Sequence, residues 1–140
     1  TDTIAGGTPP PQQRTQKERD MSQQQINPED VLKTVKAALE VFRDELGPET
    51  NISKMLTLLG IADSPGVEQH RLGEEAGVAT STLSRIIVDL SGVNRHRKPG
   101  PNVVHAYPDP MWRRRNLLEL TSKGRSLMDK VTANVNKALK

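Results

Sequence analysis

The stretch Leu72-Gly73-Glu74-Glu75-Ala76-Gly77-Val78-Ala79-Thr80-Ser81-Thr82-Leu83-Ser84-Arg85 decides the fold. Gly77 lies between two amphipathic segments, and glycine adopts the left-handed backbone that a sharp turn between helices needs. Upstream, Val67, Leu72 and Ala76 form one apolar set. Downstream, from near Ala79 and Thr80, Leu83, Ile86, Ile87 and Leu90 recur at helical spacing. Gly73 is small where the two helices would cross. Val78, Leu83 and Ile86, one, six and nine residues past Gly77, supply the packing that locks the pair. The spacing predicts a helix-turn-helix over residues 67–90.

With those four residues inward, the second helix presents Thr80, Ser81, Thr82, Ser84, Arg85 and Asp89 outward. Short hydroxyl side chains at its N-terminal end let such a helix sink into a major groove. There Arg85 could form a bidentate contact with guanine, worth about 1–3 kcal/mol of discrimination. A solvated face on an ordinary helix pair is the plainer reading, and the neighbouring charge weighs against it. Residues 92–115 hold Arg95, Arg97, Lys98, Arg113, Arg114 and Arg115 against one acid, Asp109, in a chain of formal net charge +3. The remainder is therefore slightly acidic. A basic segment on an acidic body reads as a localised surface for a polyanion.

Past the helix pair the period changes. Val103-Val104-His105-Ala106-Tyr107 is short and rich in β-branched residues, Pro108-Asp109-Pro110 breaks it, and Arg114, Asn116, Leu118 and Leu120 alternate. Two strands around a proline-rich tip are expected, forming a two-stranded β wing. On a strand Arg113 and Arg115 share one face and read as the wing's DNA contacts, while Arg114 sides with Leu118 and Leu120 and reads as structural. Arg95, Arg97 and Lys98, in the irregular segment 92–102, are each placed to reach a phosphate. Trp112, near the tip, reads as a packing residue.

Helices flank this centre. Asn27 is a good cap before Pro28 at a first helical position, and Val31, Leu32, Val35, Ala38, Leu39, Phe42 and Leu46 follow as one apolar face ended by Gly47-Pro48. A second helix, capped at Thr50 or Asn51, carries Ile52, Met55, Leu56, Leu58, Leu59 and Ile61 on more than one side and should lie centrally; Asp63-Ser64-Pro65-Gly66 is a turn. The last helix follows Thr121-Ser122-Lys123-Gly124 with a stripe of Leu127, Met128, Val131, Val135, Ala138 and Leu139. Residues 1–27, with Pro9-Pro10-Pro11 and few apolar anchors, read as a disordered polar tail.

This order of elements, the helix-turn-helix stretch, and the run Arg113-Arg114-Arg115-Asn116-Leu117-Leu118-Glu119-Leu120-Thr121-Ser122-Lys123-Gly124-Arg125 resemble the MarR-type transcriptional regulators over residues 28–140. Leu-Thr-x-Lys-Gly-Arg, ending the wing, is the most specific piece. The resemblance implies a mainly α winged helix-turn-helix homodimer on duplex DNA, with helices 28–46 and 122–140 of two subunits forming the interface. Members of the family often respond to small ligands near that interface, although no effector pocket is indicated here. Three departures stand out. Met111-Trp112 replaces the acid that usually precedes the wing arginines, leaving Asp109 as the one substitute. The basic stretch 92–102 is extra and suggests a longer phosphate-contacting arm. Ala79 stands where a Ser or Thr cap is common, so Thr80 is expected to cap instead.

Composition narrows the function. The 140 residues suit one domain. With 34% apolar residues, 26% charged residues and one each of Phe, Tyr and Trp, the chain is poor in rings for base stacking or for a ring-lined cofactor pocket. The absence of cysteine excludes disulfides, thiolate zinc and iron–sulfur sites. His70, His96 and His105 match no ligand spacing, and Ser81 and Ser84 have no paired base, so neither a metal, a cofactor nor catalysis is expected. No apolar run reaches the ~20 residues of a membrane span. The expectation is a cytoplasmic, nucleoid-associated regulator of a bacterial, archaeal or phage-infected cell, with repression as its output. Two other readings stand beside it: a non-sequence-specific DNA-organising protein of phage or plasmid origin, and a winged-helix module that docks another protein.

Overall fold

The computed structural model describes residues 25–92 and 97–140. The tail 1–24, and with it most of the segment expected to be disordered, lies outside the described residues, as do Arg95 and His96. Two compact units divide the chain, Thr1–Leu32 and Lys33–Lys140. Of the first, residues 25–32 are described. There the Asn27 side chain accepts from the Asp30 backbone N–H at 2.9 Å, and its amide donates to the Asp30 carboxylate at 3.1 Å. Asn27 thus caps helix α1 (Pro28–Leu46), with Pro28 at the first helical position as the sequence indicates.

The second unit continues α1 and then runs through α2 (Ile52–Asp63), β1 (Val67–Glu68), α3 (Gln69–Ala76), α4 (Thr80–Leu90), β2 (Val104–Pro108), β3 (Asn116–Leu120) and α5 (Ser122–Ala138). Helices 3 and 4 are the expected pair. Gly77 ends α3 with φ 68° and ψ 31°, the left-handed turn its position requires. At Gly73 an added Cβ would stand 3.0 Å from a Leu83 methyl and 3.2 Å from the Val78 carbonyl oxygen, so the close crossing is real. Leu83, Ile86, Ile87 and Leu90 are all buried, joined in one core by Phe42, Leu58, Ile61, Leu72, Val103, Val104, Leu118 and Leu127.

Several expectations change. The two-stranded wing is present as β2 and β3, and the unexpected β1 adds a third strand in the order β1-β3-β2. Val67 pairs with Leu118 and Glu68 with Leu117, while β2 pairs with β3 from Val104 opposite Leu120 to Pro108 opposite Asn116. Val67 is therefore a strand residue, and α3 starts at Gln69, where the Glu68 carboxylate accepts from the Arg71 N–H at 3.1 Å as the cap. Helix α2 is capped by Asn51, not Thr50. It is not wholly internal either, since Leu58, Ile61 and Thr57 are buried while Ile52, Leu56 and Leu59 are exposed. On α1 the inward residues are Ala37, Val41 and Phe42; the larger Val35 and Leu39, part of the expected core stripe, are exposed, as are Val31 and Leu32.

Helix α5 is fixed at its start by the Thr121-x-x-Gly124 turn. The Thr121 hydroxyl accepts from the Gly124 N–H at 3.1 Å and donates to the Asn102 carbonyl at 2.6 Å. Further along, the Asn134 amide donates to the Ala37 carbonyl at 2.9 Å, and Lys130 pairs with Glu45 at 2.7 Å. These contacts join the last helix to the Ala37–Glu45 part of the first within one chain.

Candidate nucleic-acid interface

Four core residues on one side of α4 leave Thr80, Ser81, Thr82, Ser84 and Arg85 exposed on the other, as the periodicity requires. Asp89 departs from the expected set. It is half-buried, and its carboxylate lies 3.9 Å from the Lys54 ammonium on α2, so it belongs to packing between helices. Ser84 is also engaged, because the Gln69 amide donates to its hydroxyl at 3.3 Å and ties the first turn of α3 to α4. Among the described residues Arg85 has no side-chain partner, which leaves its five donors for a ligand.

The start of α4 differs from the expected Thr80 cap. Ala79 is the N-cap residue, at φ −61° and ψ 147°, and no side chain accepts from the first turn. The leading N–H groups of this helix thus have no side-chain acceptor, where most helices supply one. The backbone angles already suit a cap, so Ala79→Ser is expected to raise stability by about 1 kcal/mol. Thermal melts of the two chains check this, and an unchanged or lower midpoint would contradict it.

The arginines stand in a turn rather than on a strand. Strand β3 begins at Asn116, so Arg113, Arg114 and Arg115 precede it and the alternation of faces does not apply. Backbone bonds close the tip: the Asp109 N–H donates to the Arg115 carbonyl at 2.8 Å, Trp112 N–H to the Asp109 carbonyl at 3.2 Å and Arg115 N–H to the Trp112 carbonyl at 2.9 Å. The Asp109 carboxylate accepts from the Met111 N–H at 2.9 Å. Asp109 therefore organises the tip through main-chain bonds, the type of local bond aspartate forms readily. All three arginines are exposed, and among the described residues Arg113 and Arg114 have no side-chain partner. Arg114 is not the structural member of the trio; Arg115 is the one with contacts, over the Trp112 ring and near Glu68.

Thr80 and Ala79 from the start of α4, Gln69 and His70 from α3, and Arg114, Arg115 and Asn116 from the wing border one groove of about 290 Å³. The N-terminal end of α4 and the arginine turn thus flank the same concavity. Arg97 and Lys98 are exposed beyond the other end of α4. There Gly100 N–H donates to the Gly92 carbonyl at 3.0 Å and Val103 N–H to the Leu90 carbonyl at 2.9 Å, which ties residues 100–103 to the end of the helix. Arg97 itself holds a left-handed φ of 60°. His70 lies 3.1 Å from Glu74, and His105 stacks on Tyr107 at 5.8 Å. Among the described residues no cluster of three or more His, Asp or Glu could hold a metal ion, and no helix is long and apolar enough to cross a membrane.

No protein-family model matches the sequence, and no curated protein matches it. Solved structures do. The transcriptional regulator Tm0710 from Thermotoga maritima superposes with a TM-score of 0.62 at 20% identity, over 89% of this chain and 77% of that one. RV1404 from Mycobacterium tuberculosis gives 0.62 at 18% identity, over 94% and 81%. A MarR-family transcriptional regulator from Rhodococcus sp. RHA1 gives 0.53 at 21% identity, over 76% and 67%. Element order, a left-handed glycine turn between α3 and α4, and a wing returning beside α4 lead to the same conclusion: this chain has the winged helix-turn-helix fold of the MarR-type regulators.

Proposed function

We propose that the protein is a non-catalytic, DNA-binding transcriptional regulator that grips duplex DNA as a homodimer. The observation that carries this reading is the groove shared by the first turn of α4 and the arginine turn. A helix entering a major groove and a cation-bearing loop gripping the adjacent backbone need that adjacency. In this reading Thr80, Ser81, Thr82 and Ser84 let α4 approach the base edges, and Arg85 is the long base reader. Arg113 and Arg114, with Arg95, Arg97 and Lys98, are the cations that reach phosphates, about four of them engaged per subunit, and Arg115 supports the wing beside them. The exposed apolar residues Val35 and Leu39 on α1 and Leu139 after α5 favour association through helices 28–46 and 122–140. Two recognition helices then enter successive major grooves about 34–36 Å apart on a pseudo-palindrome. A dimer lying across a promoter excludes polymerase, which makes repression the expected output in the cytoplasm or on the nucleoid.

Selection of bound duplexes from a random pool, at two salt concentrations, tests this. The expected product is a set of related sites with two inverted half-sites. Arg85→Ala should then weaken the selected site by about 1–3 kcal/mol, some 5- to 150-fold, with little effect on random duplex. A second reading, a non-sequence-specific DNA-organising protein, is favoured by one observation: the exposed face of α4 offers hydroxyls and a single arginine. In that case the selection returns no motif, and Arg85→Ala weakens all duplexes alike. Failure to retain any duplex favours a module that docks another protein.

A further inference from the structure

Arg115 differs from its two neighbours in being held on several sides. Its guanidinium carbon lies 4.2 Å from the centroid of the Trp112 ring, and its Nε lies 3.8 Å from one carboxylate oxygen of Glu68. The other oxygen of Glu68 accepts the Arg71 N–H at 3.1 Å and so caps α3. One carboxylate thus joins the start of the helix-turn-helix to the wing tip. Glu68 can serve this way because its side chain is only 24% exposed, where screening by water is reduced. The main chain of Arg115 is fixed as well, by the bonds to Trp112 and Asp109 that close the turn.

From this geometry, and resting on the DNA-binding reading above, we infer that Glu68, Trp112 and Arg115 form a clamp that orders the wing, with Arg115 a positioning residue and Arg113 and Arg114 the wing's phosphate contacts. A guanidinium that lies over a ring and near a carboxylate leaves both if it swings to a phosphate. Arg113 and Arg114 break no such interaction when they bind. A turn already ordered also loses less freedom on binding than a loose one, which favours affinity without any added interaction. The clamp occupies the role of the acid missing ahead of the wing arginines: the carboxylate comes from β1, 47 residues before Arg115 in sequence.

The protein carries a single tryptophan, and it is the clamp's own ring. Emission and acrylamide quenching of Trp112 in the full chain therefore report the clamp without DNA. Arg115→Gln and Glu68→Gln should each raise the quenching constant, while Arg113→Gln should leave it unchanged. On the selected duplex, Arg115→Gln should weaken binding about 2- to 5-fold with the log–log salt slope intact. Arg113→Gln should lower that slope by about 0.9 for each phosphate it no longer neutralises. Trp112→Phe, which keeps a ring face, should bind like the parent, and Trp112→Ala should bind like Arg115→Gln. A drop in slope for Arg115→Gln with unaltered Trp112 quenching would overturn the inference and make Arg115 a phosphate contact. If the unsubstituted chain binds no duplex, the regulator reading fails, and the quenching series alone then decides whether the clamp exists.

Discussion

Raising monovalent salt from about 50 to about 200 mM is expected to weaken duplex binding on the order of 10⁴-fold. The cations that project from the core set this figure: Arg97 and Lys98 beyond the end of α4, and Arg113 and Arg114 in the wing turn, all exposed. Four phosphate contacts per subunit become about eight in a dimer. Each contact releases condensed counterions, and a slope near −0.9 per contact gives roughly −7 for the whole. Base-reading contacts such as the one proposed for Arg85 contribute little to this slope, because they do not displace ions from the phosphate chain. Measuring affinity for the selected site across that salt range checks the number. A loss smaller than about tenfold would mean that only one or two phosphates are neutralised. It would also remove the wing and the 97–98 segment from the interface.

The parts of the molecule legible in sequence are those whose information is local. Gly77 has to be left-handed because two apolar periods meet there, and Leu83, Ile86, Ile87 and Leu90 have to be buried because they repeat at 3.6 residues. The exposed set Thr80, Ser81, Thr82, Ser84 and Arg85 follows from those four. What escapes a sequence reading depends on partners distant in the chain. Val67-Glu68 is too short to show a period, and its strand character comes from Leu117 and Leu118 across the sheet. Alternation alone puts Arg114 on β3, whereas Asp109 and Arg115 close a longer turn through backbone bonds that leave no compositional trace. On α1 the apolar stripe places Phe42 correctly, but Ala37 and Val41 rather than Val35 and Leu39 share the core face with it. Small side chains permit the close approach that the Asn134 bond to the Ala37 carbonyl records, and a hydrophobicity pattern gives them little weight.

The Thr-x-Lys-Gly-Arg run that carries most of the family resemblance has a structural explanation, and it makes Gly124→Ala a strongly destabilising substitution. A Cβ at Gly124 would overlap the Val103 carbonyl oxygen and lie 3.1 Å from the Leu120 Cβ. That oxygen cannot simply retreat, since it accepts the Thr121 N–H at 3.1 Å and Val103 is itself buried in the core. Nor can the helix start retreat. Its Thr121 hydroxyl bridges the Gly124 N–H and the Asn102 carbonyl, and Arg125 reaches back to the Leu120 carbonyl at 3.1 Å. Relief therefore requires the whole joint between β2, β3 and α5 to open. Overpacking costs about 1–3 kcal/mol, and loss of the cap adds about 1 kcal/mol. Against these, the helix-propensity gain of alanine over glycine is at most about 1 kcal/mol. A net loss of about 1–4 kcal/mol follows, or a fall in melting temperature of roughly 4–16 °C for a domain of this size. Lys123→Ala, one residue away and exposed, should change stability by less than about 0.5 kcal/mol. Denaturant or thermal melts of both variants decide the matter. If Gly124→Ala matches the parent, close approach is not the reason for the glycine, and a role for the run at the DNA backbone would have to replace the joint described here.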